Sequence, residues 1–530
     1  MSREQIESGK AVLGIEFGST RIKSVLIDEN HRVIASGSHE WENRFSNGIW
    51  TYSEQDILTG LQSSYAALKK DVISQYGVRL SRIGALGISA MMHGYLPFDK
   101  DMKLLAPFRT WRNTITGEAA DKLTKAFSFN MPQRWSLSHL YQAILNKEDH
   151  VPDIRFLTTL AGWVHYLLTG KKVIGIGDAS GMMPIDSATR NYDQKMVNRF
   201  NELVFSRNYP WKLEDILPEV LVAGDNAGTL TEAGAKLLDP EGDLLSGCPV
   251  CPPEGDAGTG MVATNSIKPR TGNVSAGTSI FSMIVLEKPL NSVHPEIDVV
   301  TTPVGEQVAM VHCNSCTSDI NAWVNLFVEF AQVMDMPVRK DEVFTKLFQK
   351  SDSAEKDCGG LVTFNYYAGE PVTGLQEGRP MLIRLPDARM NLANFMRAQI
   401  YASMETLKYG MDILAQEHVA IDCVYGHGGL FKTKKVAQGI LAAAIHAPVT
   451  VMETAGEGGA WGMAVLADYM LNRKSGESLE DYLEEKVFSS VEQFTMQPDA
   501  ADEAGFDMYM KRFTDCLPAQ KAAVEGLKAD

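Results

Sequence analysis

The sequence has few cysteines, no long apolar run and no excess of positive charge. Its 530 residues include 7 cysteines, an odd number that argues against a disulfide framework and fits a reducing compartment. No stretch approaches the roughly 20 apolar residues that a membrane helix needs. The first ten residues, MSREQIESGK, lack the basic-then-apolar layout of a secretory signal. We therefore expect a cytoplasmic protein with no membrane partner.

The charge balance bears on the partners. Lys and Arg number 50 and Asp and Glu number 66, which gives a formal net charge of −16. A field of this sign repels phosphate backbones, so we expect no nucleic-acid partner. The chain is 45% hydrophobic and 22% charged, as in ordinary globular proteins. Because single cores stop growing at about 250 to 300 residues, the length predicts two or three domains.

Strand and helix patterns alternate along the chain. Two apolar runs, residues 12–17 and 22–28, flank a small-residue turn and predict a hairpin of buried strands. Helical periodicity at 56–76 leads into a strand at 83–90, and residues 392–416 predict one long helix. This alternation indicates an α/β architecture with a largely parallel or mixed sheet.

An internal repeat suggests two related halves with a cleft between them. A shift of 259 residues lays the first turn, Gly18-Ser19-Thr20, on the second turn, Gly277-Thr278-Ser279, each between apolar strands. The second copy follows a linker-like stretch, IKPRTG, at 267–272. We place a domain boundary there, with domains at residues 10–268 and 269–473 and a helical C-terminal extension at 474–530.

The two turns have the composition of an anion-binding loop. A glycine followed by hydroxyl residues presents backbone N–H groups and hydroxyl donors without a side chain in the way, which suits a nucleotide phosphate. An ordinary tight turn is the competing interpretation of either copy alone. The presence of two copies favours the phosphate interpretation.

Two carboxylates are candidates for chemistry. Asp256 lies where a short strand gives way to a helix, so it is either a helix N-cap or a general base at the mouth of a cleft. Glu16 lies in an apolar strand, where an unpartnered buried acid is costly, so it is either solvated or near a cation. A Mg²⁺ ion that bridges nucleotide phosphates needs such an oxygen ligand, and we favour this role.

With these residues in hand, the chain resembles the FGGY family of carbohydrate kinases over roughly residues 12–470. Residues 14–23 follow the family's first phosphate motif, G-I-D-x-G-T-x-x-x-K, except that Glu16 replaces Asp and Ser19 replaces Thr. A Met-His-Gly turn at 92–94 and the later Trp111-Arg112-Asn113 look like the xylulokinase pattern within the family. Further matches are the Asp-Ala-Ser-Gly segment at 178–181, Gly255-Asp256, the second turn, and Gly458-Gly459-Ala460.

The resemblance implies a fold and a reaction. The fold would be an α/β, two-domain ribonuclease-H-like clamshell of the actin and hexokinase type, with mixed sheets and a cleft between the domains. Residues 10–268 would bind the sugar and carry the catalysis, and residues 269–473 would bind the nucleotide. The reaction would be transfer of the γ-phosphoryl group of ATP to a hydroxyl of a small ketose, with D-xylulose as the leading substrate. L- or D-ribulose, another ketose or a polyol stays open, as does a homodimer.

The resemblance also assigns roles, residue by residue. Asp256 is the catalytic base and, with Glu16, a candidate Mg²⁺ ligand. The nucleotide-binding candidates are Gly18, Ser19, Thr20, Lys23, Gly277, Thr278, Ser279, Gly428 and Gly429, and the sugar-binding candidates are Met92, His93, Trp111, Asn113 and Asp256.

Three departures from the family pattern keep a second class of function open. Glu16 replaces an Asp, Ala257 stands where relatives carry an amide, and Asn113 replaces an acid. Together they motivate a sugar or nucleotide sensor with impaired catalysis. A chaperone-like ATPase is a third reading, which the absence of a recognisable peptide-binding domain disfavours.

Overall fold

A computed structural model describes residues 2–433, 435–452 and 458–528. Small parts of the predicted second domain and of the C-terminal extension lie outside these ranges. The chain forms two compact units. The first comprises Met1–Ile267, Asp298–Val308 and Glu457–Ser490, and the second comprises Lys268–Ile297, Ala309–Gly456 and Val491–Asp530.

The units differ from the predicted domains in the C-terminal part of the chain. The main boundary falls after Ile267, next to the predicted one. The predicted extension, however, is divided between the units, since Glu457–Ser490 groups with the first unit and Val491–Asp530 with the second.

The described chain contains strands in both units. They are β1 (Val12–Phe17), β2 (Arg21–Ile27), β3 (Val33–Glu40), β4 (Arg44–Ser46), β5 (Ile49–Thr51), β6 (Ala85–Ala90), β7 (Leu96–Phe98), β8 (Phe156–Thr158), β9 (Val173–Gly175), β10 (Ile185–Asp186), β11 (Asn191–Tyr192), β12 (Glu219–Leu221), β13 (Glu254–Gly255), β14 (Thr271–Ala276), β15 (Ile280–Val285), β16 (Asp298–Thr301), β17 (Gln307–Cys313), β18 (Leu361–Phe364), β19 (Met381–Arg384), β20 (Cys423–His427), β21 (Val449–Met452) and β22 (Gln493–Met496).

Helices alternate with these strands. They are α1 (Ser2–Glu7), α2 (Glu54–Tyr76), α3 (Gly117–Phe127), α4 (Ser136–Asn146), α5 (Leu160–Thr169), α6 (Ile176–Ala179), α7 (Gln194–Val204), α8 (Leu213–Ile216), α9 (Glu232–Leu238), α10 (Asp256–Ala263), α11 (Ser318–Val333), α12 (Lys340–Lys350), α13 (Leu392–Ala402), α14 (Glu405–Gln416), α15 (Val436–Ile445), α16 (Gly459–Asn472), α17 (Leu479–Tyr482) and α18 (Ala500–Gly526). None of these described helices has the length and apolar character needed to cross a membrane.

The main sheet of the first unit has the order β13-β6-β1-β2-β3. β1 pairs antiparallel with β2, which pairs antiparallel with β3, while β1, β6 and β13 run parallel. The predicted hairpin and mixed sheet are confirmed. The sheet therefore brings the ends of β1, β6 and β13 to one edge, where Glu16, Ala90 and Gly255 lie.

The second unit repeats this arrangement. Its main sheet includes the order β17-β15-β14-β20-β21-β22, with β14 antiparallel to β15 and parallel to β20. The hairpin β14–β15 lies 259 residues after β1–β2, at the shift that the sequence indicated. The internal repeat is thus a repeat of the sheet's central hairpin and its parallel neighbour.

The two faces of β1 have different roles. Leu13, Ile15 and Phe17 are fully buried in the core of the first unit, which also contains apolar residues of α2 and α5. Because side chains alternate along a strand, Gly14 and Glu16 point to the opposite face. There a Cβ on Gly14 would lie 2.1 Å from the carbonyl oxygen of Ala460 in α16, so only glycine permits the helix to pack this closely.

The predicted long helix at 392–416 is wrong in one respect, because it is two helices. α13 ends at Ala402 and α14 begins at Glu405. The Ser403 hydroxyl donates to the carbonyl oxygen of Ile400 (2.6 Å). Serine side chains that bond the local backbone compete with helix continuation, which the apolar periodicity does not reveal.

Candidate active site

In the first turn, which joins β1 to β2, all three carbonyl oxygens accept hydrogen bonds from protein donors. The indole N–H of Trp41 donates to the Gly18 oxygen (2.7 Å), and the Trp41 backbone N–H donates to the Thr20 oxygen (3.2 Å). The Tyr52 hydroxyl donates to the Ser19 oxygen (2.6 Å). Ser19 and Thr20 are exposed. An anion approaching this turn therefore meets no outward carbonyl dipole.

The second turn is held in the same way within the second unit. Both the N–H (3.1 Å) and the hydroxyl (2.7 Å) of Thr317 donate to the Gly277 oxygen, and the Cys316 N–H donates to the Thr278 oxygen (2.9 Å). The Ser279 oxygen accepts from the Gly277 N–H (2.9 Å). A Cβ on Gly277 would meet nothing within 4 Å, so this end of the hairpin is open.

Gly428 and Gly429 follow β20 at the same sheet edge as the second turn. β20 runs parallel to β14 with His427 opposite Ser275. Gly428 has φ 102°, and a Cβ there would lie 2.4 Å from the Ala276 oxygen, so glycine is required. The structure thus brings these nucleotide-binding candidates of the second unit together.

Glu16 lies at the end of β1 among polar neighbours from four elements. It is opposite Lys23 in β2 and Ser89 in β6, and its carboxylate accepts from the Ala460 N–H (3.2 Å). Desolvation, followed by the negative charge of Asp256, raises the pKa of Glu16 to about 7, while the Ala460 N–H and Lys23 lower it. The effect of Asp256 shows that the two carboxylates share one electrostatic environment.

Asp256 is the first residue of α10. Its side chain is exposed and accepts from the backbone N–H of Met92 (3.1 Å). Desolvation by the protein around the helix start raises its pKa, and the N–H groups of Met92 and Ala257 oppose this. The N-cap of α10 is Gly255, so the N-cap interpretation of Asp256 is wrong. An accessible aspartate with a raised pKa can accept a proton more readily than an ordinary one.

Two further buried carboxylates support Asp256, and sequence reasoning assigned no role to either. Glu254 accepts from the N–H groups of Gly177 (3.2 Å) and Asp178 (3.0 Å), and its pKa is raised to about 7, mainly by desolvation. The Thr159 hydroxyl donates to Asp178 (2.6 Å), whose pKa is raised well above its ordinary value by desolvation and by the charges of Glu254 and Asp256. The sequence signal that could have pointed to Glu254 is the presence of an acidic residue directly before the Gly255-Asp256 pair.

The sugar-binding candidates divide into two groups. Met92 and His93 lie beside Asp256: a Cβ on Gly255 would meet Met92 at 2.2 Å, and a His93 ring nitrogen lies 3.1 Å from the Gly181 oxygen. His93 has φ 72° and its ring stacks on Trp135. This fixed backbone presents the Met-His-Gly turn next to the candidate base.

Trp111 and Asn113 belong to the second group. Trp111 is half-buried and packs on the core of the first unit. The Asn113 amide donates to the carbonyl oxygens of Trp50 (2.8 Å) and Thr110 (2.9 Å) and accepts from the Trp50 N–H (2.9 Å). Its amide group thus joins β5 to the backbone of Thr110, and its hydrogen bonding does not support the predicted role as a sugar ligand.

The donor set for a divalent cation is small. Within the described ranges, no group of three or more His, Cys, Asp or Glu side chains is arranged to hold a metal ion. Mg²⁺, however, usually takes one or two carboxylates and completes its shell with water and substrate phosphates. Glu16 and Asp256, which raise each other's energy as anions, fit that requirement.

Comparison with known proteins identifies the class to which this fold and site belong. Residues 11–256 match the N-terminal domain, and residues 272–471 the C-terminal domain, of the FGGY family of carbohydrate kinases. The chain belongs to this family, and the predicted two-domain fold of the actin and hexokinase type is confirmed.

Individual relatives are distant. The chain is 23% identical over 423 residues to the xylulose kinase of Haemophilus influenzae, covering 76% of this chain and 80% of the relative. Ligand-bound xylulose kinase from Lactobacillus acidophilus superposes with a TM-score of 0.78 at 16% identity, over 98% of this chain and 100% of the other. Plasmodium falciparum glycerol kinase with ADP gives 0.71 at 16% identity, over 98% and 99%. Likenesses at this level show the fold, not the substrate.

Proposed function

We propose that the protein transfers the γ-phosphoryl group of ATP to a hydroxyl of a small ketose, with D-xylulose as the first candidate. Family membership supports the kinase class, and the ADP in the glycerol kinase structure supports a nucleotide substrate. The observation that carries the proposal is Asp256, an exposed carboxylate with a raised pKa beside the Met92-His93 turn.

Asp256 acts as the general base. As the sugar oxygen forms its bond to the γ-phosphorus, the hydroxyl proton passes to Asp256 and the bond to the bridging oxygen of ADP breaks. Desolvation raises the pKa of Asp256 against the opposing N–H groups of Met92 and Ala257, which increases its affinity for the proton. Glu254, two residues before Asp256, accepts hydrogen bonds from the backbone N–H groups of Gly177 and Asp178, and the Asp178 carboxylate accepts from the Thr159 hydroxyl, so the strand before Asp256 is joined to α6.

The two turns bind the phosphates. Their carbonyl oxygens are held by protein donors, which leaves N–H groups and hydroxyls as the groups that an anion meets. Gly428 and Gly429 lie at the same sheet edge of the second unit, where they would contact the part of the nucleotide beyond its phosphates. Lys23, next to Glu16, adds a positive charge on the side of the first turn.

Glu16 and Asp256 would hold Mg²⁺, and the bound ion would supply positive charge that offsets the charge of the phosphates. Desolvation, followed by the charge of Asp256, raises the pKa of Glu16 to about 7, so a bound cation would favour its ionised form. The sequence departures at Glu16, Ala257 and Asn113 motivate the second candidate, a sensor that binds sugar or nucleotide with impaired transfer.

An assay of ADP formation separates the candidates. The purified chain is supplied with ATP, Mg²⁺ and, in turn, D-xylulose, L- and D-ribulose, hexuloses, glycerol and other polyols. The proposal predicts ADP formation that depends on at least one ketose. Binding of a sugar, measured by calorimetry, without any turnover would instead establish the sensor. ADP formation at a rate that does not depend on any sugar would establish a simple ATPase.

A further inference from the structure

The first unit contains a large cavity at the end of the sheet opposite the first turn. Its volume is about 880 Å³, and it is lined by residues before β1, in the β2–β3 turn, at the end of α16 and in the segment that follows α17. Lys10, which lines it, precedes β1, whereas the first turn follows β1. Eight residues of extended chain separate Lys10 from Gly18, about 26 Å. The cavity is therefore distinct from the candidate active site.

One wall of the cavity is a buried hydrogen-bonded group. The Tyr482 hydroxyl donates to Asp468, a His31 ring nitrogen lies 3.0 Å from the same carboxylate oxygen, and the Asn472 amide donates to the other oxygen (2.7 Å). His31 has φ 58°, and the Trp461 indole fixes its carbonyl oxygen (2.7 Å). Desolvation is the largest single effect on the pKa of Asp468 and raises it, but the contacts with His31, Tyr482 and Asn472 together outweigh it and hold the pKa below its usual value. This wall is a fixed surface rather than a mobile one.

His31, which lines the cavity, also contains a buried ring nitrogen without a hydrogen-bond partner in the described part of the chain. Its Nδ1 is buried and has no hydrogen-bond partner among the described residues. Buried polar atoms are generally satisfied by protein, water or ligand.

Three of the five Lys, Arg, Asp or Glu side chains that line the cavity are basic, namely Lys10, Arg32 and Lys486, and two are acidic, namely Glu29 and Asp468. Lys10 and Arg32 are exposed and form no ion pair within the part of the chain that the structure describes. Lys486 lies over the Tyr482 ring (4.4 Å) and pairs with Glu477 (2.8 Å). Of the two lining carboxylates, Asp468 accepts hydrogen bonds within the buried wall, whereas Glu29 is not part of that hydrogen-bonded group. Two unpaired cations in a concave site are notable on a chain of net charge −16.

We propose that this cavity, flanked by Lys10 and Arg32, binds a small organic anion that carries several phosphate or carboxylate charges. Cavities of roughly 300 to 1,000 Å³ hold small-molecule ligands. Lysine and arginine donate charge-assisted hydrogen bonds to both kinds of anion. The Asn30 amide and the Ser489 and Ser490 hydroxyls, which also line the cavity, add neutral donors.

Isothermal titration calorimetry with pyrophosphate and with citrate tests the site and distinguishes the two chemistries. We expect at least one probe to bind with a dissociation constant below about 1 mM at low salt. In the variant that combines Lys10→Ala and Arg32→Ala, binding should weaken at least about tenfold, since two charge-assisted contacts are lost. Lys100→Ala, which removes an exposed cation of the same unit, is the matched control and should leave the affinity unchanged.

A second readout locates the probe. An amine-reactive reagent should modify Lys10 more slowly in the presence of the bound probe, with Lys100 in the same sample as the internal reference. Ser19→Ala in the first turn should not alter this protection, which separates the cavity from any phosphate binding at the active site. The proposal is overturned if neither probe binds, if binding persists unchanged in the double variant, or if the bound probe leaves Lys10 of the wild-type chain unprotected.

Discussion

At the scale of single residues, the candidate site depends on the electrostatic repulsion between the carboxylates of Glu16 and Asp256. Glu16 is opposite Lys23 and accepts one backbone N–H, yet its pKa is raised to about 7 by desolvation and by Asp256. Two anions in one environment are stable together only when a cation or a proton offsets their charge. We infer that the residue is retained for a bound cation rather than for folding.

Glu16 variants test this inference through the Mg²⁺ requirement. Glu16→Asp keeps a carboxylate and should retain activity with a shifted Mg²⁺ dependence. Glu16→Gln should raise the Mg²⁺ concentration for half-maximal ADP formation at least about tenfold, because one charged ligand is lost. Glu219→Gln, on an exposed strand residue of the same unit, is the control. An unchanged Mg²⁺ dependence in Glu16→Gln would make the residue structural.

The sequence alone predicted the first turn and Asp256, but not the buried residues that form hydrogen bonds near them. The first turn and Asp256 could be predicted because each is read from adjacent residues whose types require a turn or a helix start. Glu254 and Asp178 were assigned no role because their hydrogen bond joins positions 76 residues apart. Asn113 was assigned to the sugar on resemblance, and only the structure shows that Trp50 and Thr110 take its donors.

At the scale of elements, α16 sets the position of Glu16. A Cβ on Gly459, the first residue of α16, would lie 2.1 Å from the Glu16 carboxylate and 2.9 Å from the Thr259 hydroxyl. Helix and strand can approach this closely only because the position lacks a side chain. The role of this glycine could be suggested by resemblance but not by periodicity.

Gly459→Ala should therefore displace the Glu16 carboxylate. We expect the turnover number to fall at least about tenfold in the ADP assay, a modest loss for a misplaced active-site group. Gly260→Ala in α10 is the control, because a Cβ there meets nothing within 4 Å. Equal turnover in the two variants would show that the Glu16 position does not matter to the reaction.

The hairpin β1–β2 depends on a second element, the segment that carries Trp41 and Tyr52. These rings stack with centroids 3.9 Å apart, and both donate to the first turn. Neither was predicted as part of the site, since the contact crosses from one hairpin strand to a distant loop.

Tyr52→Phe keeps the ring and removes only the hydroxyl that holds the Ser19 oxygen. With that carbonyl released, we expect the KM for ATP to rise about three- to tenfold, in line with one net hydrogen bond. Tyr76→Phe removes a comparable bond, to the Ile34 oxygen (3.0 Å), away from the turn. A rise in KM that is the same in both variants would point to general destabilisation and contradict the role of Tyr52.

At the scale of the whole molecule, buried acids make stability depend on pH. Glu254 and Glu370 are almost fully buried, and desolvation raises the pKa of each to about 7. The folded chain holds protons that the unfolded chain releases above about 4.5, so the free energy of unfolding falls as the pH rises through 7. Burial lowers the pKa of His139, His165 and His427 to about 3 or 4, which acts in the opposite direction below about pH 6.5.

Urea unfolding should accordingly show a lower midpoint at about pH 8.5 than at about pH 6.5, with each carboxyl contributing at most about 1 kcal/mol over this interval. Glu370→Gln should flatten this dependence, whereas Glu377→Gln, on an exposed side chain nearby, should not. A midpoint that rises across this interval would contradict the assignment of these acids as protonated in the folded chain.

Each of the two units contains one copy of the central hairpin, and this repeat is the part of the overall organisation that the sequence predicts. The shift of 259 residues and the hairpin around each turn are signals in the sequence that the structure matches. The assignment of 457–490 to the first unit was not predictable, because it depends on α16 packing against β1 far away in sequence. The break between α13 and α14 was hidden by continuous apolar periodicity.

The most direct test of the central claim is transfer of label from γ-labelled ATP to sugar, measured as labelled sugar phosphate by chromatography and mass spectrometry. Wild-type protein and the control Asp121→Asn, an exposed helical residue, should form labelled product from at least one ketose. Asp256→Asn should form it at least about 100-fold more slowly while remaining folded, because general-base catalysis is lost. Failure of the wild type to label any sugar of the panel, or equal rates in Asp256→Asn, would contradict the account.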